Sequence, residues 1–448
     1  MSAMFGTKVA VIGAGYVGLT TAACLSSLGH QVVCADVDRE KVDALSRGEA
    51  TIREPGICEL VVDGLASGRL EFVLGASAAV SEASVVILCV PTPMGATGAA
   101  DLTTLEFVVA EVRELLPPGC VVVNKSTVPV GTAARVAKLI DRADVAVVSN
   151  PEFLREGAAV HDFLNPDRIV VGSADRDPAP ARRVADLYGK LDTSVLVTDS
   201  ASAEMIKYAS NCYLATRLSF VNTVAELCEY LDASIDDVTL GMGYDQRIGK
   251  SFLRPGPGWG GSCLPKDTFA LLRTAESAGS DFALLRAAIE TNLKQQDLVV
   301  DKVRKAVGGE LAGARIGLLG LTFKAGTDDL RDSPALAVAG RLAAEGAELF
   351  GYDPGVHAPV PGVTDGVRIT GTAYHAADGA AAIVLLTEWP EFRALDWARI
   401  ADRLDGRSVI DTRNLLDPLV VAGTGLSYQG IGRPAALPST GDMVRRAG

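Results

Sequence analysis

The segment KVAVIGAGYVGLTTAACLSSLGHQVVCAD, residues 8–36, constrains this chain more than any other. A β-rich apolar run leads into Gly13, Gly15 and Gly18, spaced GxGxxG. A helical stretch follows, and then a second β-rich run that ends on Asp36. In such a strand–turn–helix–strand unit the first glycine permits the tight turn. The second lets backbone approach a pyrophosphate at the helix N-terminus, and the third allows helix and strand to pack closely. A carboxylate at Asp36 stands where it can hold a ribose 2′-hydroxyl and repel a 2′-phosphate, which favours NAD over NADP. The glycines alone fit an ordinary turn; strand, helix, second strand and acid together predict dinucleotide binding.

The alternation continues in SVVILCV, CVVVNK, VAVVSN and RIVVG, with helical spacing over 16–28 and 103–115. This predicts a parallel sheet covered by helices on both faces. From about Ser200 the pattern turns helical, and SAEMIKYASNCYLATRLSFVNTVAELCEYL, without Pro or Gly, reads as one long helix. A second α/β unit opens at ARIGLLGL, passes through a helix over 334–345 to AELFGYD, and continues in AAIVLLTEW and RSVIDTRN. The fold class is therefore α/β, with two Rossmann-like doubly wound domains joined by a long central helix. The expected boundaries are 1–199, 200–310 and 311–435, followed by a loose Pro- and Ala-rich tail at 436–448. A chain of 448 residues with 48% hydrophobic content has the material for two or three such cores.

A formal net charge of −13 argues against nucleic acid or a membrane surface as partner, so an anionic ligand would need basic residues gathered locally. The N-terminal apolar run leads straight into the glycine turn, leaving no separate signal segment. No window offers an uncharged apolar run of about 20 residues, which predicts no membrane span. Most of the eight cysteines sit in apolar stretches without metal-ligand spacing. They read as small core residues in a reducing compartment, the cytoplasm, with no metal site.

GWGGSCLPKD, residues 258–267, places Cys263 between glycines and a Lys-Asp pair. The thiol is either a buried helix cap or a nucleophile. Pro265 fits the first turn of a helix running to about Gly279, whose dipole, with Lys266, would favour a thiolate. Gly256, Gly258, Gly260 and Gly261 suggest a flexible loop that admits a ligand, and Asp267 can share a helix face with Cys263. On the long helix Glu204, Lys207 and Asn211 form one polar stripe, either solvated or buried with partners. NPEFLREG sets Glu152 and Glu156 after a strand, either as surface charges or in a ligand loop.

GAGYVG, VPTP, STVPVGT, NPEFLREG, DRIVVG, AEMIKYASN, DQRIGKSFLRPGPGWGGSCLPKD and GLTFKAGTDDLRDSP occur in one order along nearly the whole chain. Together they resemble the family of NAD-dependent nucleotide-sugar 6-dehydrogenases. The resemblance implies a four-electron oxidation of a sugar C6 alcohol to a carboxylate with two NAD and one water. It implies that Cys263 is the nucleophile, passing through a thiohemiacetal and a thioester, and that Lys207 and Asn211 stabilise oxyanions. Asp267 would work through water in proton transfer. Thr127 and Glu152 would position the hydrolytic water, with Glu152 the base. For the nucleotide sugar the matching positions are Phe153, Leu154, Glu156, Lys207, Asn211, Phe252, Arg254, Gly260, Phe323 and Lys324. Arg247 is supplied by a neighbouring subunit, which implies a homodimer or higher homo-oligomer. Tyr16, Val17, Lys41, Thr92, Thr127, Glu156, Lys266 and Arg331 join the glycines and Asp36 around NAD. On this pattern 1–199 binds NAD, 200–310 carries the cysteine and the dimer contact, and 311–435 binds the nucleotide.

RIGKSFLRPGPGWGGSC reads more like the UDP-glucose branch than the GDP-mannose branch. Ser262 stands where the UDP-N-acetylhexosamine branch usually carries His. Two readings from other classes stay open on the residues alone: a single-step NAD alcohol dehydrogenase, and a silent binding protein. His30, His161, His357 and His375 match nothing catalytic.

Overall fold

The computed structural model describes residues 6–95, 97–174 and 177–437; residues 438–448 of the expected tail lie outside them. The chain divides into two compact units, one of residues up to Ser210 with Phe269–Ser280, the other of Asn211–Thr268 with the chain from Asp281 onward.

The first unit holds an eight-stranded sheet: β1 (Lys8–Ile12), β2 (Gln31–Asp36), β3 (Leu70–Leu74), β4 (Val85–Leu88), β5 (Val121–Asn124), β6 (Ala146–Ser149), β7 (Arg168–Ser173) and β8 (Ser194–Asp199). Their order is β3-β2-β1-β4-β5-β6-β7-β8, so the chain leaves β1 in one direction and returns to its other side at β4. Doubly wound sheets bind ligands at the carboxyl ends of the strands at such a reversal. Successive side chains of β1 enter opposite cores: Val9 and Val11 join one cluster, Ala10 and Ile12 the other. Burial on both faces is why these strands read as continuous apolar runs.

One strand pair departs from the expected parallel pattern. β7 runs antiparallel to β6 through two residue pairs, Val148 with Ser173 and Ser149 with Gly172. The 150–167 connection carries only a short helix, Ala159–Leu164, and returns the chain on the adjacent edge without a full crossover.

The second unit holds β9 (Arg315–Leu319), β10 (Glu348–Tyr352), β11 (Val367–Ile369), β12 (Ala382–Leu385), β13 (Ser408–Asp411) and β14 (Ser427–Gln429). The order β11-β10-β9-β12-β13-β14 repeats that of the first six strands of the other sheet, here all in parallel.

The long helix spans Ser200–Leu231. Asp199 caps it, accepting from the Ser202 N–H and hydroxyl at 2.8 and 2.9 Å. Asp232, at φ 55°, and the Ala233 N–H returning to the Cys228 carbonyl close its C-terminal end.

Candidate active site

Three glycines of one turn serve two purposes. Gly13 holds φ 98°, and a Cβ there would stand 2.6 Å from the Cys89 carbonyl oxygen. A Cβ on Gly18 would enter the Gly13 carbonyl oxygen, whereas nothing lies within 4 Å of one on Gly15. Gly13 and Gly18 are demanded by the fold itself; Gly15 keeps open a space that the chain does not fill. Gly15 is also the N-cap of the Tyr16–Ser27 helix and has no side chain of its own to cap that end. Backbone N–H groups therefore face an open recess with the helix dipole behind them.

Asp36 stands beside this recess. Its carboxylate accepts from the Ala14 N–H at 2.8 Å, the Asp38 N–H at 3.0 Å and the Lys41 ammonium at 3.1 Å. Burial alone would raise the carboxyl, but these donors outweigh it and hold it below its ordinary value. An N–H-lined recess next to an ionised acid fits a dinucleotide, with pyrophosphate on the helix end and a ribose hydroxyl on Asp36. Val17 packs against the core. The Tyr16 hydroxyl donates to Glu54 and accepts from the Gly157 N–H, so it is engaged within the chain. Glu54, a buried acid that sequence reading passed over, also accepts from the Gly157 N–H at 2.7 Å. It thus ties the glycine helix to the 152–157 loop. Thr92 donates to the Thr127 carbonyl at 2.8 Å, joining two predicted positions.

The polar stripe on the long helix is buried, and its partners are present. Lys207 donates to Glu152 Oε1 at 2.8 Å, with both residues under a tenth exposed. Glu152 Oε2 accepts the Leu154 N–H at 2.6 Å. Burial pushes the Glu152 carboxyl up, but the Lys207 ammonium, the Leu154 N–H and the more distant Lys125 charge reverse this and keep it below its usual value. Glu152 is accordingly a carboxylate, able to accept a proton. Two cations approach the Phe153 ring, Arg168 at 3.8 Å and Lys207 at 5.4 Å from its centre. Glu156 is partly buried. Lys125, missed in the sequence, donates within the core to Asn150 and Tyr188 at 3.3 and 3.2 Å.

In the second unit the Cys263 carbonyl accepts the Asp267 N–H at 2.9 Å, which makes Cys263 the N-cap of the Leu264–Ser277 helix. Its sulfur lies 3.6 Å from the Ser262 hydroxyl, and the residue is partly exposed. Six other cysteines are exposed less or not at all: Cys24, Cys34, Cys89, Cys120, Cys212 and Cys228 are buried, and only Cys58 is exposed. Burial pushes Cys24, Cys89 and Cys212 up to about 12 and Cys120 to about 11. Asp267 is wholly buried; it accepts from Asn211 and from Lys266, each at 2.6 Å. The structure therefore brings Asn211, Lys266 and Asp267 together directly behind the Cys263 cap.

The expected flexible glycine loop is instead clamped. Gly256 donates to Asn222 at 2.9 Å and accepts from Gln295 at 2.8 Å. Asn292 grips the Trp259 backbone, accepting at 2.7 and donating at 2.9 Å. Gly261 donates to the Asp332 carbonyl at 3.2 Å. The glycines are required because Asn292, Asp332 and the Phe323 ring crowd positions 258, 260 and 261. Phe323 and Gly260 are thereby placed on the cysteine loop, and the Lys324 ammonium lies 5.7 Å from the Phe323 ring. Other predicted residues stand apart from these contacts. Phe252 is exposed at φ 55° and Arg254 is exposed. Arg331 is held by Asp329, and Arg247, 89% exposed, is held by Asp245. Among the described residues no cluster of three His, Cys, Asp or Glu could hold a metal, and no helix is long and apolar enough to cross a membrane.

Comparison with known proteins adds independent findings. Three domain models of the UDP-glucose/GDP-mannose dehydrogenase family match: the NAD-binding domain over residues 7–192, the central domain over 201–294 and the UDP-binding domain over 317–418. A UDP-glucose 6-dehydrogenase of Rhizobium meliloti is 43% identical over 435 residues, covering 95% of this chain and 100% of its own. One from Pseudomonas aeruginosa is 43% identical over 446 residues, covering 96% and 98%. The solved UDP-glucose dehydrogenase of Pyrobaculum islandicum superposes with a TM-score of 0.86 at 34% identity, covering 97% of this chain and 99% of that one.

Proposed function

The chain belongs to the UDP-glucose/GDP-mannose dehydrogenase family, and on that premise we propose that it oxidises the C6 alcohol of UDP-glucose to the carboxylate of UDP-glucuronate. It is an NAD-dependent dehydrogenase. The overall change is alcohol, two NAD+ and water to carboxylate, two NADH and three protons. The observation that carries the reading is Cys263: a partly exposed thiol at a helix N-cap, on a loop whose backbone is satisfied by buried amides.

Gly13, Gly15, Gly18 and Asp36 hold NAD, which when bound accepts the hydride in each oxidation. The Cys263 sulfur adds to the aldehyde and keeps it from escaping before the second oxidation, which leaves a thioester. Lys207 and Asn211, one turn apart on the long helix, face developing oxyanions as donors. Asp267, bonded to Asn211 and Lys266, relays protons through water. Glu152, ionised against Lys207, takes the proton from the hydrolytic water that Thr127 helps to place.

The working assembly is at least a homodimer, acting in the cytoplasm. Tyr213, Phe220 and Leu227 lie seven residues apart on the long helix, and each is more than half exposed, an apolar stripe suited to a second copy. Arg247, extended into solvent, completes the partner's sugar site.

Purified protein with NAD and UDP-glucose, GDP-mannose or UDP-galactose should yield two NADH per UDP-glucose, and Cys263→Ala should form no uronate while still binding NAD. Two NADH per GDP-mannose would reassign the substrate. One NADH per sugar, or uronate from Cys263→Ala, would overturn the cysteine route. Mixing inactive Cys263→Ala and Arg247→Ala proteins should restore part of the activity in hybrid dimers; verified hybrids that stay inactive place Arg247 outside the partner's site.

A further inference from the structure

Glu204 has no part in the chemistry above, yet it is 3% exposed and lies one turn before Lys207 on the long helix. The hydrogen bonds it accepts from Gly131, Ala133 and Ser149 all leave that helix. Oε2 accepts the Gly131 N–H at 2.7 Å; Oε1 accepts the Ala133 N–H and the Ser149 hydroxyl, both at 2.9 Å. Gly131 is the N-cap of the Thr132–Ile140 helix, at φ 96° and without a side chain to cap it. A local Ser, Asp or Asn would satisfy those N–H groups within one segment. Here the cap comes from a residue 73 positions away, and burial pushes its carboxyl above the ordinary range despite the donors. A costly long-range cap in place of a cheap local one ties elements together.

The elements it ties are specific. The Thr132–Ile140 helix begins five residues after Thr127, whose carbonyl is fixed by Thr92. Ser149 ends β6, three residues before Glu152. Lys207 is on the next turn of the helix that bears Glu204. We propose that Glu204 is a positioning residue for thioester hydrolysis: it fixes the mutual placement of Thr127, Glu152 and Lys207 around the attacking water. The inference rests on the function proposed above. In that step water oxygen adds to the acyl carbon and the carbon–sulfur bond breaks. One water proton ends on the Cys263 sulfur, and the other is released as the carboxylic acid ionises. Sulfur addition begins instead at Cys263, whose neighbour Asp267 is held by Asn211 and Lys266.

The test is Glu204→Gln, whose amide nitrogen must face one of the three donors. Mixed rapidly with NAD and UDP-glucose, the variant should release two NADH per site in a burst. Steady turnover should then be slower by up to about a hundred-fold, as expected of a small misplacement, and intact-protein mass should show an acyl adduct on Cys263. Burst and turnover falling together without adduct, or turnover at the wild-type rate, overturns the proposal. Should Glu204→Gln not fold, Ser149→Ala decides by removing a single donor: a milder burst with adduct supports the role, and wild-type behaviour overturns it. Wild-type protein releasing one NADH per sugar would instead refute the underlying function, a result distinct from either.

Discussion

Asp36 ends the second strand of the first sheet, and Asp353 follows the second strand of the other; each carboxylate reaches back to backbone N–H groups just past its sheet's first strand. From there they diverge. Asp353 is wholly buried and accepts from Leu321, Thr322 and Gly355 N–H groups, the Thr322 hydroxyl and the Trp389 indole, at 2.6–3.1 Å. Asp36 takes two backbone N–H groups and Lys41, and keeps an edge on the recess at Gly15. Where the first turn is open at Gly15, the second is plugged: Gly320 abuts Thr387, and Leu321 and Trp389 are buried beside it. One topology thus makes two sites in principle, and side-chain volume decides which stays open. The nucleotide sugar of the second unit is accordingly expected on its Phe323–Lys324 side and the cysteine loop, not in the glycine turn.

This contrast can be broken at three points. Asp353→Ala should cost the most, about 3–5 kcal/mol in denaturant unfolding, because several buried donors lose their acceptor at roughly 1–3 kcal/mol each. A loss below about 1 kcal/mol would show that the plug does not depend on the acid. Gly15→Ala should leave unfolding within about 1 kcal/mol of wild type, since its Cβ meets nothing. It should weaken NAD by roughly ten- to a hundred-fold, because backbone approach is blocked; unchanged affinity would mean that the recess is not the pyrophosphate site. Asp36→Ala should weaken NAD about ten-fold through the ribose contact. It should also make a small change in acid stability. The Asp36 carboxyl is held below its unfolded value of 3.8. Its contribution is therefore present above about pH 3.8 and lost as pH falls through the depressed value, so the variant's acid limb should be shallower. An identical acid limb would remove Asp36 from that balance.

Much of this was legible in the sequence where one segment decides its own structure. The six β-rich runs of the first half, the glycine turn and the long helix all depend on local period and composition. β3 and β8 escaped because Glu71 interrupts one and the other lies exposed at the sheet edge, while β11 and β14 span three residues each. At the site, the Glu204–Lys207–Asn211 stripe was visible as a pattern, since helix spacing announces a shared face. Its partners were not: Glu152 lies 55 positions from Lys207, and Asn292 lies 33 from Trp259. Nothing near Glu54, Lys125 or Asn292 marks them as buried, because each is needed by a segment distant in sequence. The rigidity of the cysteine loop was misread for the same reason, its glycines answering crowding by remote side chains.

Burial of the cysteines sorts their reactivity toward reagents that arrive from solvent. Alkylating agents and peroxides attack thiolates they can reach, so six of the eight sulfurs are withdrawn from such chemistry and Cys58 and Cys263 are left to meet it. In the role proposed for it, the Cys263 sulfur must be open to a sugar aldehyde, and it is then open to small oxidants as well. Damage to catalysis by peroxide would then be read at a single atom, and Cys58→Ser would give a protein in which thiol labelling counts active sites.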